Sequence, residues 1–178
     1  MQQLIAMKQY NNVTMHHPSL AHNPLFDPMS KVWIYTASRE LTEAEAAFAQ
    51  QHLDVFTRQW TSHNVQMKAA GEVYARRYVI LLADETHTST GGCSIDKSVH
   101  FLEALGRELG VDFFDRMLFG WVDGSDVRVA DRNTFSQNVK ENIITDQTLT
   151  INTLATTKAD LAEKWLLPFS QSWIQRLV

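Results

Sequence analysis

The chain has 178 residues; at roughly 150 residues per domain that is one domain with an appendage, or two very small ones, and it is too short for a barrel enzyme. Sixteen Lys and Arg against 20 Asp and Glu give a net charge of −4, whereas a general binder of phosphate backbones carries a basic excess, so nucleic acid is not an expected partner. Apolar residues at 44% and charged residues at 20% are globular proportions, and 7 Gly with 4 Pro disfavour both a turn-rich all-β fold and a disordered chain.

A single cysteine, Cys93, excludes an internal disulfide and any multi-cysteine metal site. The N-terminus shows no charged region followed by an apolar stretch. The longest apolar run, Tyr78 to Ala83, is far below the roughly 20 residues that span a bilayer. The expectation is a cytoplasmic protein without a membrane partner.

Residues 1–30 hold three of the four prolines (Pro18, Pro24, Pro28) and three of the seven histidines (His16, His17, His22), without apolar periodicity. This predicts a loosely ordered N-terminal arm, with ordered structure from Lys31. No acidic ligand accompanies the histidines, so no metal site is expected there.

Val32-Trp33-Ile34-Tyr35 is β-prone on both faces and predicts a buried first strand. Thr42 followed by Glu45 is a capping box, and Ala46, Ala49, Leu53, Phe56 and Trp60 recur at three- and four-residue steps, predicting a helix over about 43–60. From Val65 to Ala75 the period is two, with Met67, Ala69, Gly71 and Val73 on one side and Gln66, Lys68, Glu72 and Tyr74 on the other, predicting a one-sided second strand. Tyr78 to Ala83 is apolar on both faces and predicts a deeper third strand in a hairpin with the second. Ile95, Val99, Leu102 and Leu109 mark a second helix, capped N-terminally by Ser94 and ended by Gly110. A fourth strand covers Arg116 to Val122, and Asp123-Gly124 turns the chain.

The order β-α-β-β-α-β is that of the ferredoxin-like α+β fold, whose strands run 4-1-3-2 with antiparallel neighbours. Residues 31–124 would form this domain. In that topology Trp60 to Asn64 lie beside Asp84 to Ser94. Residues 125–178 read as a small α/β subdomain packed on it: a strand at Val127 to Val129, a helix capped by Asn133, an extended stretch from Thr148 to Ile151, and a helix capped by Thr157 and stopped by Pro168. Trp121, Trp165 and Trp173 fall in or near this part and could floor a peptide groove, though a small subdomain needs large side chains for its own core.

The loop from Asp84 to Ser94 carries the chemistry. Hydroxyls and two glycines between a buried strand and a helix start resemble an anion cradle, which assigns Glu85, His87, Thr90, Gly91, Gly92 and Ser94 as candidate ligand contacts, with Trp60 beside them. The chain has neither a G-x-x-x-x-G-K-[ST] phosphate loop nor a G-x-G-x-x-G fingerprint, so no nucleotide cofactor is expected. Cys93, next to the helix start, is a candidate nucleophile, with His63 on the same edge as its base and Asp84 as the acid that would orient the imidazole. Glu85 is the alternative acid and His87 the competing base. Asp96, His100, Glu103 and Arg107 share one polar helix face and predict a surface ion-pair row.

Lys31-Val32-Trp33-Ile34-Tyr35, Gln59-Trp60 with His63, Gly92-Cys93-Ser94-Ile95-Asp96 with Ser98-Val99-His100, Phe114-Asp115-Arg116, and the late Trp165, Pro168 and Ser172-Trp173 form a pattern. Over about residues 31–178 the chain resembles a family of uncharacterised bacterial proteins often labelled "ABC transporter ATPase". The label implies ATP hydrolysis, but no phosphate loop is present to carry it, and the resemblance transfers no activity. The residues favour a binding or interaction module for a small anionic ligand or a protein partner; the alternative is a thiol-dependent hydrolase or acyl transferase using Cys93 and His63.

Overall fold

The computed structural model describes residues 16–86 and 88–178. Strands β1 (Lys31–Thr36), β4 (Lys68–Tyr74) and β5 (Tyr78–Asp84) form one antiparallel sheet in the order β1-β5-β4. Between β1 and β4 come helix α1 (Glu43–Gln59) and a short hairpin of β2 (Thr61–Ser62) and β3 (Val65–Gln66). After β5 comes α2 (Gly92–Leu109). A second antiparallel sheet, ordered β7-β6-β8-β9, is built from β6 (Leu118–Asp123), β7 (Asp126–Asp131), β8 (Leu149–Ile151) and β9 (Leu166–Pro168). Helices α3 (Arg132–Lys140) and α4 (Lys158–Lys164) complete the mixed α+β chain.

All seven residues of β5 are buried, and the two-residue period of a strand sends them to two different cores. Val79, Leu81 and Ala83 join Leu53 of α1 and Leu102 and Leu105 of α2. Tyr78, Ile80 and Leu82 face the second sheet, meeting Ile151, Leu166 and Trp165. The far face of the second sheet carries a third core of Phe119, Trp121, Phe135, Ile144, Phe169 and Ile174. The layers therefore run helices, sheet, sheet, helix.

Several local expectations are realised. Thr42 and Glu45 exchange both bonds of the capping box, Gly110 ends α2 in the left-handed region at φ 63°, and Thr157 caps α4 by accepting from the Asp160 N–H. The caps of two other helices differ from the prediction. Gly91 precedes α2, with Ser94 in its first turn, and Asp131, not Asn133, caps α3 by accepting from the N–H groups of Asn133 and Thr134.

Larger differences concern topology. In the ferredoxin-like order the fourth strand adds to β1; here β6 pairs instead with β7 and β8 in the second sheet. The apolar pattern of Leu118 to Val122 fixes that it is a strand and leaves its partner open. The hairpin β6–β7 also spans residue 124, the expected boundary, so the second sheet begins before it. The second strand is not one-sided: Ala70 and Tyr74 pack into the inter-sheet core while Ala69 and Val73 pack under the helices.

Residues 16–30 are not a loose arm. Leu20, Ala21 and Phe26 are buried in the inter-sheet core, the Glu72 carboxylate accepts from the Ser19 and Leu20 N–H groups, and the His16 carbonyl accepts from the Tyr74 hydroxyl at 2.6 Å and the Trp165 indole N–H at 2.9 Å. Sparse apolar residues without a period still bury when a tertiary surface waits for them. The part of the expected arm over residues 1–15 lies outside the described residues.

The two sheets approach closely where Gly120 meets Tyr78. A Cβ at Gly120 would stand 2.0 Å from the Tyr78 hydroxyl oxygen and 2.9 Å from Ile151 Cγ1. Because Tyr78 is fully buried, it has no room to retreat. Gly120→Ala is expected to destabilise the protein by about 1–3 kcal/mol, the range for overpacking, in urea unfolding. Gly92→Ala, whose Cβ meets nothing within 4 Å, should stay within about 0.5 kcal/mol of the wild type.

Candidate functional site

The predicted crossing of the two segments is present. The Trp60 indole N–H donates to the Ser94 carbonyl at 2.8 Å inside the protein. The Ser62 hydroxyl donates to the Ser89 carbonyl at 2.7 Å and accepts from the Gly91 N–H at 3.3 Å. Lys97 Nζ donates to the Thr61 carbonyl at 3.2 Å and to its hydroxyl at 2.7 Å. The β1-β5-β4 order alone puts the end of α1 beside the start of α2, so this adjacency does not need a fourth strand on β1.

His63 lies in the turn of the β2–β3 hairpin, where it and Asn64 take φ of 50° and 63°. This left-handed pair suits the twist of a tight hairpin. Its imidazole rests on Gly91: a Cβ there would be 3.0 Å from Nε2. Cys93 is exposed in the first turn of α2. The edge thus brings His63 against Gly91, two residues before Cys93. His87 lies outside the described residues.

The two acids serve the scaffold. Asp84 is buried at the end of β5, directly opposite Lys68 of β4 in the ladder. One carboxylate oxygen accepts from the Thr86 N–H at 3.0 Å and from the Thr86 hydroxyl, and the other meets Lys68 Nζ at 2.9 Å. The Thr86 hydroxyl, followed by Lys68, holds the Asp84 carboxyl well below the usual carboxylate range. Burial pushes Glu85 up, but hydrogen bonds from Thr90 and the Lys31 ammonium at 3.0 Å outweigh it and leave the carboxyl lowered. Lys31 also donates to the Thr90 hydroxyl at 3.2 Å. No hydrogen bond joins His63 to Asp84 or Glu85 among the described residues, so neither acid orients the imidazole as a third catalytic member.

Trp60 is also a structural residue. It is buried with Trp33 and Phe56 against its ring at 5.8 Å and 5.2 Å, so its role at the edge is the bond to Ser94 and not ligand stacking. Ser94 is likewise buried, its hydroxyl donating to the Gly91 carbonyl at 2.7 Å. What stays accessible is the first turn of α2. No side chain caps it, and the N–H groups of Gly92 and Cys93 meet no acceptor among the described residues. Four surface clefts of about 290 to 550 Å³ are lined by other residues.

Thr61 and Ser62 fall in the segment expected at this edge, but their bonds, and the places of Lys97, Lys31 and Lys68 there, were not legible, because these contacts reach between segments and follow no local spacing. Asp96, His100, Glu103 and Arg107 are all exposed, and no salt bridge joins them. Among the described residues no group of three or more His, Cys, Asp and Glu is placed to hold a metal ion, and no helix is long and apolar enough to cross a membrane.

Because its folded-state carboxyl is depressed, Asp84 contributes stability that is present above its unfolded value near 3.9 and is lost as pH falls from there. Asp84→Asn is expected to remove about 1 kcal/mol at neutral pH, a modest figure because Lys68 is half exposed, and to flatten the acid limb of urea stability against pH. Identical curves for variant and wild type would show the pair to be inert. Comparisons with protein-family models, curated proteins and solved structures find no match, so the reading of this edge rests on its own geometry.

Proposed function

We propose that the protein is a cytosolic binding module whose ligand edge is the start of α2, and that a small anion sits against the N–H groups of Gly92 and Cys93 with the His63 imidazole beside it. The observation that carries this reading is the uncapped first turn of α2, held open on a rigid frame. A loop tied down by Glu85, Thr90 and Ser62 ends at Gly91, and the helix then begins without a side chain over its amides. Unpaired first-turn amides and the aligned peptide dipoles favour negative charge there. The net charge of −4 supports a small ligand over a polyanion, and the single cysteine fits a reducing compartment. The resemblance to the bacterial family labelled as transporter ATPases adds no activity to this reading.

A thiol-dependent hydrolase or acyl transferase is the second reading, favoured by the imidazole of His63 against Gly91, two residues from the exposed Cys93. Against it, the acids that would orient His63 are bonded to Lys68, Thr86, Thr90 and Lys31. A base without an orienting partner is a weaker activator of a nucleophile.

A sulfate titration followed by amide chemical shifts tests the first reading. Saturable shifts centred on Gly91 to Ser94 and on His63 are expected, with sodium chloride at matched ionic strength leaving them in place; shifts spread over the surface, or none, contradict it. In the binding-module reading His63→Ala leaves the rate of Cys93 alkylation by iodoacetamide, and its pH profile, unchanged. A large fall in that rate on removal of the imidazole would instead support the thiol enzyme.

A further inference from the structure

With β6 in the second sheet, no strand among the described residues pairs with the other side of β1. In the antiparallel ladder the backbone groups of alternate residues point to opposite sides. The Val32 N–H donates to the Thr156 carbonyl at 2.9 Å, which fixes the parity: Val32, Ile34 and Thr36 present their backbone N–H and C=O groups away from β5. A short antiparallel bridge at Lys31 and Thr157 closes one end of this edge. At the other end the Ser38 N–H donates to the Asp112 carbonyl at 2.8 Å. Between the two closures, from Val32 to Thr36, the edge runs about 13 Å at ~3.3 Å per residue, the length of a short strand.

This stretch lines a groove of about 290 Å³ together with residues 113–116, 153–156, Leu118 and Trp173. Of these, Phe114 and Leu154 have 39% and 59% of their surface exposed. Among the described residues that line it, Arg116 is the only cation, and no carboxylate among them or elsewhere in the described residues forms a salt bridge with it. The neighbouring Asp115 turns its carboxylate back to accept from the Met117 N–H at 2.8 Å.

We infer that this groove takes an extended peptide segment of a partner protein as an added β-strand on β1, with apolar side chains against Phe114 and Leu154 and a carboxylate on Arg116. Strand addition draws affinity from main-chain hydrogen bonds and specificity from side-chain contacts along the groove. The unpaired guanidinium supplies the charge complement, which selects an acidic segment over a neutral or basic one. A second copy of the chain fits less well. Antiparallel pairing of two β1 edges would set the Asp112 end of each copy against the Thr156 end of the other, so the segments closing the two ends would oppose each other. The surface is separate from the α2 edge and does not depend on the anion reading.

The probe is the peptide acetyl-Thr-Val-Glu-Val-Thr-amide, added to the full chain and followed by amide chemical shifts. Saturable binding with the largest shifts at Ile34, Thr36 and residues 153–156 is expected. Methylating the backbone nitrogens that face β1 should weaken binding at least tenfold, because it removes donors and blocks approach. Arg116→Ala, an exposed change that leaves the fold intact, should weaken it roughly threefold, as for an exposed ion pair; replacing the peptide's Glu by Lys should do the same in the wild type and have little effect in the variant. Absence of saturable binding, binding indifferent to N-methylation, shifts confined to another surface, or self-association through β1 detected by sedimentation would each overturn the inference.

Discussion

The burial of β5 on both faces is the constraint from which the rest of the structure follows. A strand of seven buried residues needs a hydrogen-bonding partner on each side and an apolar layer on each face, since unpaired backbone groups are costly in an apolar interior. β1 and β4 supply the hydrogen bonds. Helices α1 and α2 cover one face and the second sheet covers the other. Tyr78 shows how tight the second contact is: its ring is enclosed by Tyr74 and Trp165 at 6.3 Å and 5.5 Å, and its hydroxyl reaches Gly120 without finding a hydrogen-bond partner. Burial accordingly holds the phenol well above its ordinary range.

Both surfaces discussed here are consequences of that arrangement. At its C-terminal end β5 delivers Asp84 to Lys68, and the loop that follows is fastened to β1 through Lys31 and to the β2–β3 hairpin through Ser62. The start of α2 therefore follows a loop tied by hydrogen bonds to its neighbours at Glu85, Ser89, Thr90 and Gly91. At the opposite flank of the sheet β1 has β5 on one side and, among the described residues, a short contact with Thr156 on the other, with Ser38 just beyond its end bonded to Asp112. An edge strand is usually protected against stray pairing; here the Thr157 bridge at one end and the Ser38–Asp112 bond at the other shorten the open edge.

Much of this was legible in the sequence wherever a residue acts through its neighbours in the chain. The Thr42 and Glu45 box, the Gly110 stop, the run from Tyr78 and the capping Thr157 each have a local signature. The adjacency of His63 and Gly91 was legible too, because it follows from the alternation of strands and helices up to β5. What escaped depends on contacts between distant segments. The pattern of Leu118 to Val122 marks a strand but cannot name the sheet that receives it, and the irregular segment from His16 to Ser30 buries Leu20 and Phe26 only because Trp165 and β4 offer a surface. The apolar stripe of α1 already points Trp60 to the core, where its indole N–H also binds Ser94; that Asp84 and Glu85 bond to Lys68, Thr86, Thr90 and Lys31 is not legible, since a carboxylate's partner is not encoded in its neighbours.

Amide hydrogen exchange at single-residue resolution tests the division of strands around β5 most directly. The account predicts that the amides of β5 exchange only through global unfolding, and that β1 alternates: Trp33 and Tyr35 slow through their bonds to β5, Val32 slow through Thr156, Ile34 and Thr36 fast because they face the open groove. Protection of Ile34 and Thr36 equal to that of Trp33 and Tyr35 would mean that a strand already occupies the β1 edge, and would contradict it.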